Sequence, residues 1–134
     1  MDKIAKQYPN DVRIVIKNYP LRSHKQAFKA ALYCLAADRQ GMYYAMYKLI
    51  FDRYKELKTN EDLPVTFAKE LGLDMEQFYR DVQDPALQKQ INLEKEQLRS
   101  TGLRLSVPKF LVNGKEWDRK QSLDIIIENI LSGK

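Results

Sequence analysis

The sequence predicts an α/β domain, and three observations carry that expectation. Near the N-terminus, Val12, Ile14 and Ile16 alternate with Arg13, Val15 and Lys17, the period-two pattern of a β-strand. A succession of helical stripes, each bounded by a capping residue or a glycine, then fills the middle of the chain. Last, Lys109 to Val112 runs into Asn113-Gly114, the strongest short hairpin signal in the sequence, and a final amphipathic helix follows.

Taken in order, Asp2 to Tyr8 reads as the tail of a helix ended by Pro9, and Asn10-Asp11 as a turn. Val15 makes the strand Val12–Lys17 apolar on both sides, which predicts an interior strand covered on both faces. Ser23 with Gln26 has the pattern of a capping box. It opens a helix whose buried stripe is Ala27, Phe28, Ala31, Leu32, Leu35 and Ala36. Gly41 closes that helix, and a second carries Met42, Met46, Leu49, Ile50 and Tyr54 on one face. A third ends at Leu71-Gly72, with Leu73 supplying the hydrophobic contact beyond the cap. Asp74 with Gln77 caps a short fourth helix. Asp84-Pro85 places a cap residue before a proline in the first turn and starts a fifth helix through Ser100. Lys109–Val112 and Lys115–Trp117 are the arms of the hairpin. Asp118 with Gln121 is the expected cap of the last helix, with Leu123, Ile126, Ile127, Ile130 and Leu131 as its apolar stripe.

The chain has 134 residues, 44% of them hydrophobic, which fits one domain, residues 1–134, with a sizeable core. No Pro/Gly/Ser-rich linker, internal repeat or apolar run of membrane-spanning length interrupts it. Met1 to Pro9 is too polar for a secretory signal. The net charge is +5, but Lys and Arg alternate with Asp and Glu rather than clustering, so a nucleic-acid surface is not expected. One cysteine, Cys34, excludes an intrachain disulfide, a CxxC redox pair and a cysteine-rich zinc site. One histidine, His24, argues against a histidine-based metal site. No cofactor is implied.

The same residues carry a family resemblance. The stretch Val12 to Leu21, with His24 three residues on, is similar to the segment after the first helix of DsbA-like thiol–disulfide oxidoreductases. Gln40-Gly41 followed by aromatics and Leu49-Ile50-Phe51 resembles their helical insertion, and Leu71-Gly72-Leu73-Asp74-Met75 with Phe78 resembles its continuation. Val107-Pro108 followed by Phe110 to Lys115 is similar to the segment that bears the family's cis-proline. The resemblance implies a thioredoxin-like fold, incomplete at the N-terminus, with a helical insertion at about residues 23–101. It implies disulfide exchange with polypeptide substrates, a redox partner protein, and a periplasmic or other extracytoplasmic setting for a full-length form. It also implies a strand and a CxxC before the point where this chain begins, so these residues contain no catalytic cysteine.

Val107-Pro108 is then the expected substrate-binding site. On spacing alone an ordinary trans proline at a strand start is the expectation; the resemblance implies instead a cis bond, with the Val107 backbone free to pair with a substrate strand. Cys34 lies at the edge of a helical stripe, where an inert buried thiol is expected. His24 is expected to be structural or exposed, and Tyr43, Tyr44, Tyr47 and Tyr54 to be amphipathic packing residues. In a thioredoxin-like sheet the missing strand is central. Its absence predicts a gap between Val12–Lys17 and Lys109–Val112 that another chain or strand exchange fills, because each buried unpaired backbone group costs roughly 1–3 kcal/mol. Two alternatives stand beside the oxidoreductase: a non-catalytic peptide-binding module, and a fragment of a kappa-type glutathione transferase or isomerase, which shares the inserted-helix plan.

Overall fold

A computed structural model describes residues 1–133. Its backbone divides into two compact units. One is Asn18–Leu103; the other joins Met1–Lys17 to the residues from Arg104 onward.

The unit Asn18–Leu103 is all helix: α2 (Lys25–Asp38), α3 (Tyr43–Asp52), α4 (Tyr54–Leu57), α5 (Leu63–Glu70), α6 (Met75–Val82) and α7 (Pro85–Ser100). Alanines and unbranched residues give α2 high helix propensity and a slim profile, and α3, α5, α6 and α7 all pack against it. The core comprises α2 from Ala31 to Ala37 together with Met46, Leu57, Phe67, Phe78, Leu87 and Ile91. Tyr33 stacks on Phe78 at 5.7 Å. Asp74 accepts from Gln77 N–H at 3.0 Å and Asp84 from Ala86 N–H at 2.9 Å, so two helix starts have the caps their sequences predict. Gly72 adopts φ 72°, the left-handed turn that ends α5, and Leu73 N–H then closes on Ala68 O at 3.0 Å.

Polar contacts, some of them to the buried carboxylates Asp81 and Glu94, tie this unit together. Arg39 bonds Asp81 and Asp84, each at 2.8 Å, and the Tyr33 hydroxyl donates to Asp62 at 2.7 Å. Glu94, 9% exposed, accepts from both the backbone N–H and the side-chain Nδ2 of Asn18 at 2.8 Å. The Tyr43 hydroxyl donates to Asn18 Oδ1 at 3.2 Å.

The other unit holds α1 (Asp2–Gln7), a two-stranded antiparallel sheet of β1 (Leu111–Val112) and β2 (Lys115–Glu116), and α8 (Leu123–Leu131). Asn113 and Gly114 take φ 49° and 81°, the two positive values that a tight primed turn requires. Side chains of α1 meet those of α8: Lys3 pairs with Asp124 and the Tyr8 hydroxyl with Glu128, both at 3.4 Å.

Five expectations need correction. Val12–Lys17 is not a strand: Arg13 to Ile16 make no backbone–backbone hydrogen bond among the described residues, because no neighbouring strand lies alongside. Ile14 and Val15 are 37% and 57% exposed, so water satisfies these groups and the penalty for buried unpaired backbone does not arise. The stretch that began with Ser23 and Gln26 starts its helix at Lys25, with His24 at the cap position and no side-chain cap. Tyr54 does not continue α3; the backbone breaks at Arg53, and Tyr54 is 52% exposed at the start of α4. The last helix is capped by Ser122, which accepts from Ile125 N–H, while Asp118 instead accepts from Lys120 N–H in the turn before it. Of that helix's expected stripe only Ile127 is buried, and Ile130 and Leu131 are exposed.

Candidate functional site

Val107 and Pro108 lie on the approach to β1, and both are exposed. The Val107–Pro108 peptide bond is cis. Neither the N–H nor the C=O of Val107 makes a backbone hydrogen bond with a described residue. The hairpin beyond is well fixed. Trp117 N–H donates to Phe110 O at 2.9 Å, and the two rings meet edge to face at 5.6 Å. The Arg119 guanidinium lies 5.7 Å from the Phe110 ring and 5.9 Å from the Trp117 ring, and Trp117 Nε1–H donates to Gln121 O at 2.7 Å. Lys109, with a side chain only 6% exposed, is ion-paired with Glu116.

The register decides which edge of β1 is open. Phe110 bonds Trp117, and Leu111 stands opposite Glu116. In an antiparallel ladder, bonded and non-bonded pairs alternate, so the N–H and C=O of Leu111 point away from β2. The same unit therefore presents two stretches of backbone that make no backbone–backbone hydrogen bond with a described residue, Arg13 to Ile16 and Val107 to Lys109, the second running into the outer edge of β1 at Leu111. Apolar side chains stand out from both, Ile14 and Val15 on one, Val107 and Leu111 on the other. One further polar group in this unit lacks a partner among the described residues: Asp124 Oδ1 is buried and accepts no hydrogen bond.

Cys34 is elsewhere, in the core of the helical unit, 4% exposed. Burial pushes its thiol up to about 12, so the nucleophilic thiolate is scarcely populated near neutral pH. His24 is exposed at the start of α2. Tyr43, Tyr44 and Tyr47 belong to the helical unit and form a stacked series with Phe51 that sequence reasoning did not assemble. Its signal was present, since rings three and four residues apart share a helix face. The bond from Asn18 to Glu94 was also missed, and no local pattern announces a contact across 76 residues.

A family model described as Thioredoxin matches residues 1–130. The chain belongs to the thioredoxin family. It is also similar to portions of proteins named as Na(+)/H(+) antiporters. The NhaA antiporter of Herminiimonas arsenicoxydans is 30% identical over 114 residues, covering 85% of this chain and 18% of that protein. NhaA 1 of Mycobacterium sp. (strain KMS) is 29% identical over 124 residues, covering 88% of this chain and 20% of that protein. NhaA 1 of Mycolicibacterium vanbaalenii is 32% identical over 83 residues, covering 61% and 13% respectively. The chain thus spans about a fifth of the length of the first of these curated relatives. No solved structure matches. Among the described residues, no helix of this thioredoxin-like chain is long and apolar enough to cross a membrane.

Proposed function

We propose that these residues form the polypeptide-binding portion of a DsbA-like thiol–disulfide oxidoreductase, with the reactive cysteines supplied from outside them. One observation carries this reading: two stretches with unpaired backbone and exposed apolar side chains, Arg13–Ile16 and Val107–Lys109 with the outer edge of Leu111, lie in one compact unit of a thioredoxin-family chain. Such stretches bind by strand addition, in which backbone hydrogen bonds supply affinity and exposed side chains select sequence. The buried Asp124 oxygen without a donor is consistent with a unit that gains a further segment. Under this proposal, residues from about 23 to 101 are the helical insertion of a single domain. The full-length protein works in an extracytoplasmic compartment and exchanges electrons with a redox partner protein. The buried thiol of Cys34 takes no part.

The test is an exchange assay with a disulfide-bonded polypeptide and a dithiol reductant. The chain alone leaves the rate at background, and Cys34→Ser changes nothing. A fusion that supplies a strand and a CxxC before Met1 accelerates exchange, and Val107→Pro in that fusion reduces it. Acceleration by the chain alone that vanishes in Cys34→Ser would contradict the proposal. Glutathione conjugation by the fusion, without disulfide exchange, would point instead to the kappa-type transferases.

The relatives favour a second reading, in which the thioredoxin-like portion belongs to a longer protein or assembly with an Na(+)/H(+) antiporter. The coding frame on both sides of these residues separates the two. A CxxC upstream and no antiporter-like sequence alongside supports the first; a contiguous antiporter-like frame supports the second.

A further inference from the structure

We propose that the exposed face of α3 and α4 is a docking surface for an anionic lipid bilayer. Within α3, Met46 is completely buried, and the opposite side of the helix carries Tyr44, Tyr47, Lys48 and Phe51. The rings form a ladder: Tyr44 to Tyr47 and Tyr47 to Phe51 are each 6.3 Å between centroids, with interplanar angles of 29° and 26°. Tyr44 is 49% and Phe51 66% exposed; Tyr79 and Leu93 are also exposed in this unit, but on α6 and α7, whereas Tyr44, Phe51 and Tyr54 follow one another along α3 and α4. Just beyond the break at Arg53, α4 adds an exposed Tyr54 and Lys55, and Lys58 follows it.

Charge selects the occupant. Lys48, Lys55 and Lys58 are exposed around the rings. Of the two carboxylates in the same stretch, Glu56 is held by Arg53 through bonds of 3.0 and 2.8 Å, which leaves Asp52 as the exposed acid not engaged in that pair. Aromatic rings with a hydrophobic body and polar edge favour the headgroup level of a bilayer, and lysines beside them are drawn to anionic lipid. The ladder supplies the first and the lysines the second. A nucleic acid also suits rings and lysines, but the Tyr43, Tyr44, Tyr47 and Phe51 rings stack on one another along the helix, which leaves no slot for a base to enter between them.

The experiment is co-sedimentation of the full chain with vesicles of phosphatidylglycerol and phosphatidylcholine, against vesicles of phosphatidylcholine alone. Binding to the anionic vesicles only, weakened by salt, is expected. Tyr44→Ser with Phe51→Ser, and separately Lys48→Glu with Lys55→Glu, should each reduce partitioning by more than about tenfold. Circular dichroism should show both variants folded, since all four side chains are exposed. Charge reversal of Lys6 and Lys115, exposed in the other unit, should leave partitioning unchanged. Partitioning equal in wild type and both face variants overturns the proposal. Absence of vesicle binding overturns it too, as does face-dependent binding of a single-stranded oligonucleotide in its place.

Discussion

The two units of this molecule divide their apolar residues very differently. In Asn18–Leu103, Phe67, Phe78, Met46, Leu57 and Ile91 are fully buried behind a close-packed α2. In the other unit, the buried hydrophobic side chains among the described residues are Ile4 and Ile127, while Ile14, Val15, Val107, Leu111, Ile125, Ile130 and Leu131 stand exposed. A helix closes its backbone hydrogen bonds within itself and needs only a face to pack on. A strand has no internal partner and must borrow one. The helical unit therefore closes its backbone within its own residues, whereas in the other unit Arg13–Ile16 and the outer edge of β1 have no strand partner among the described residues. The candidate site lies where the packing is least complete.

The largest expected effect tests that contrast directly. Phe67→Ala or Phe78→Ala should cost about 3–5 kcal/mol in thermal or denaturant unfolding, because a large ring leaves a cavity in a filled core. Ile14→Ser and Val15→Ser should fall within about 0.5 kcal/mol of wild type, since those side chains already meet water. Equal costs in the two units would break the comparison.

Next in size is the anchor at the start of the helical unit. Glu94→Ala removes the acceptor for two donors of Asn18 and should destabilise by roughly 1–3 kcal/mol, while Glu94→Gln, which keeps an acceptor oxygen, should lose less. Unfolding curves for the two variants give the ordering.

Cys34 should be inert while the helical unit is folded. Its thiol, raised to about 12 by burial, should resist a disulfide reagent at neutral pH and react only at the rate of unfolding. Rapid labelling of the native chain would mean that the helical core opens far more readily than its packing implies.

The smallest expected effect is electrostatic. Bonds from Lys29 and Tyr33 hold the Asp62 carboxyl below the ordinary carboxylate range. A folded value below the unfolded one adds stability above the unfolded value, and that stability is lost as pH falls through the folded value. Asp62→Asn should therefore flatten the acid limb of stability slightly, below about pH 4, and change little near neutrality. The group is largely exposed, so solvent screening keeps the effect small.

What the sequence made legible follows the same division. Local chemistry made several helix limits readable, Asp74, Asp84-Pro85 and Gly72 marking theirs as expected and Asn113-Gly114 forming its turn, while Ser23 and Asp118 carried a cap pattern that His24 and Ser122 took over. Val12–Lys17 read as a strand because alternation reports which side chains could be covered, and a ladder requires a partner that the pattern does not contain. For the same reason, the stripe Ile126, Ile127, Ile130 and Leu131 marks a helix face correctly while leaving open what covers it. Val107-Pro108 stood out through its resemblance to a family segment, since spacing alone pointed to an ordinary trans proline. Its neighbourhood of Trp117 and Arg119 follows from the hairpin's cross-strand geometry rather than from any motif.

The central claim, that Arg13–Ile16 and the outer edge of β1 receive an extended polypeptide, is tested most directly by amide hydrogen exchange with and without an added peptide of alternating β-branched residues. In the free chain, Arg13 to Ile16 and Leu111 should exchange nearly as fast as unstructured backbone, while α2 and α7 are strongly protected. Added peptide should slow exchange at Arg13–Ile16 and Leu111 and leave the helical unit unchanged. Strong protection of Arg13–Ile16 in the free chain, or peptide-induced protection confined to Asn18–Leu103, would contradict it.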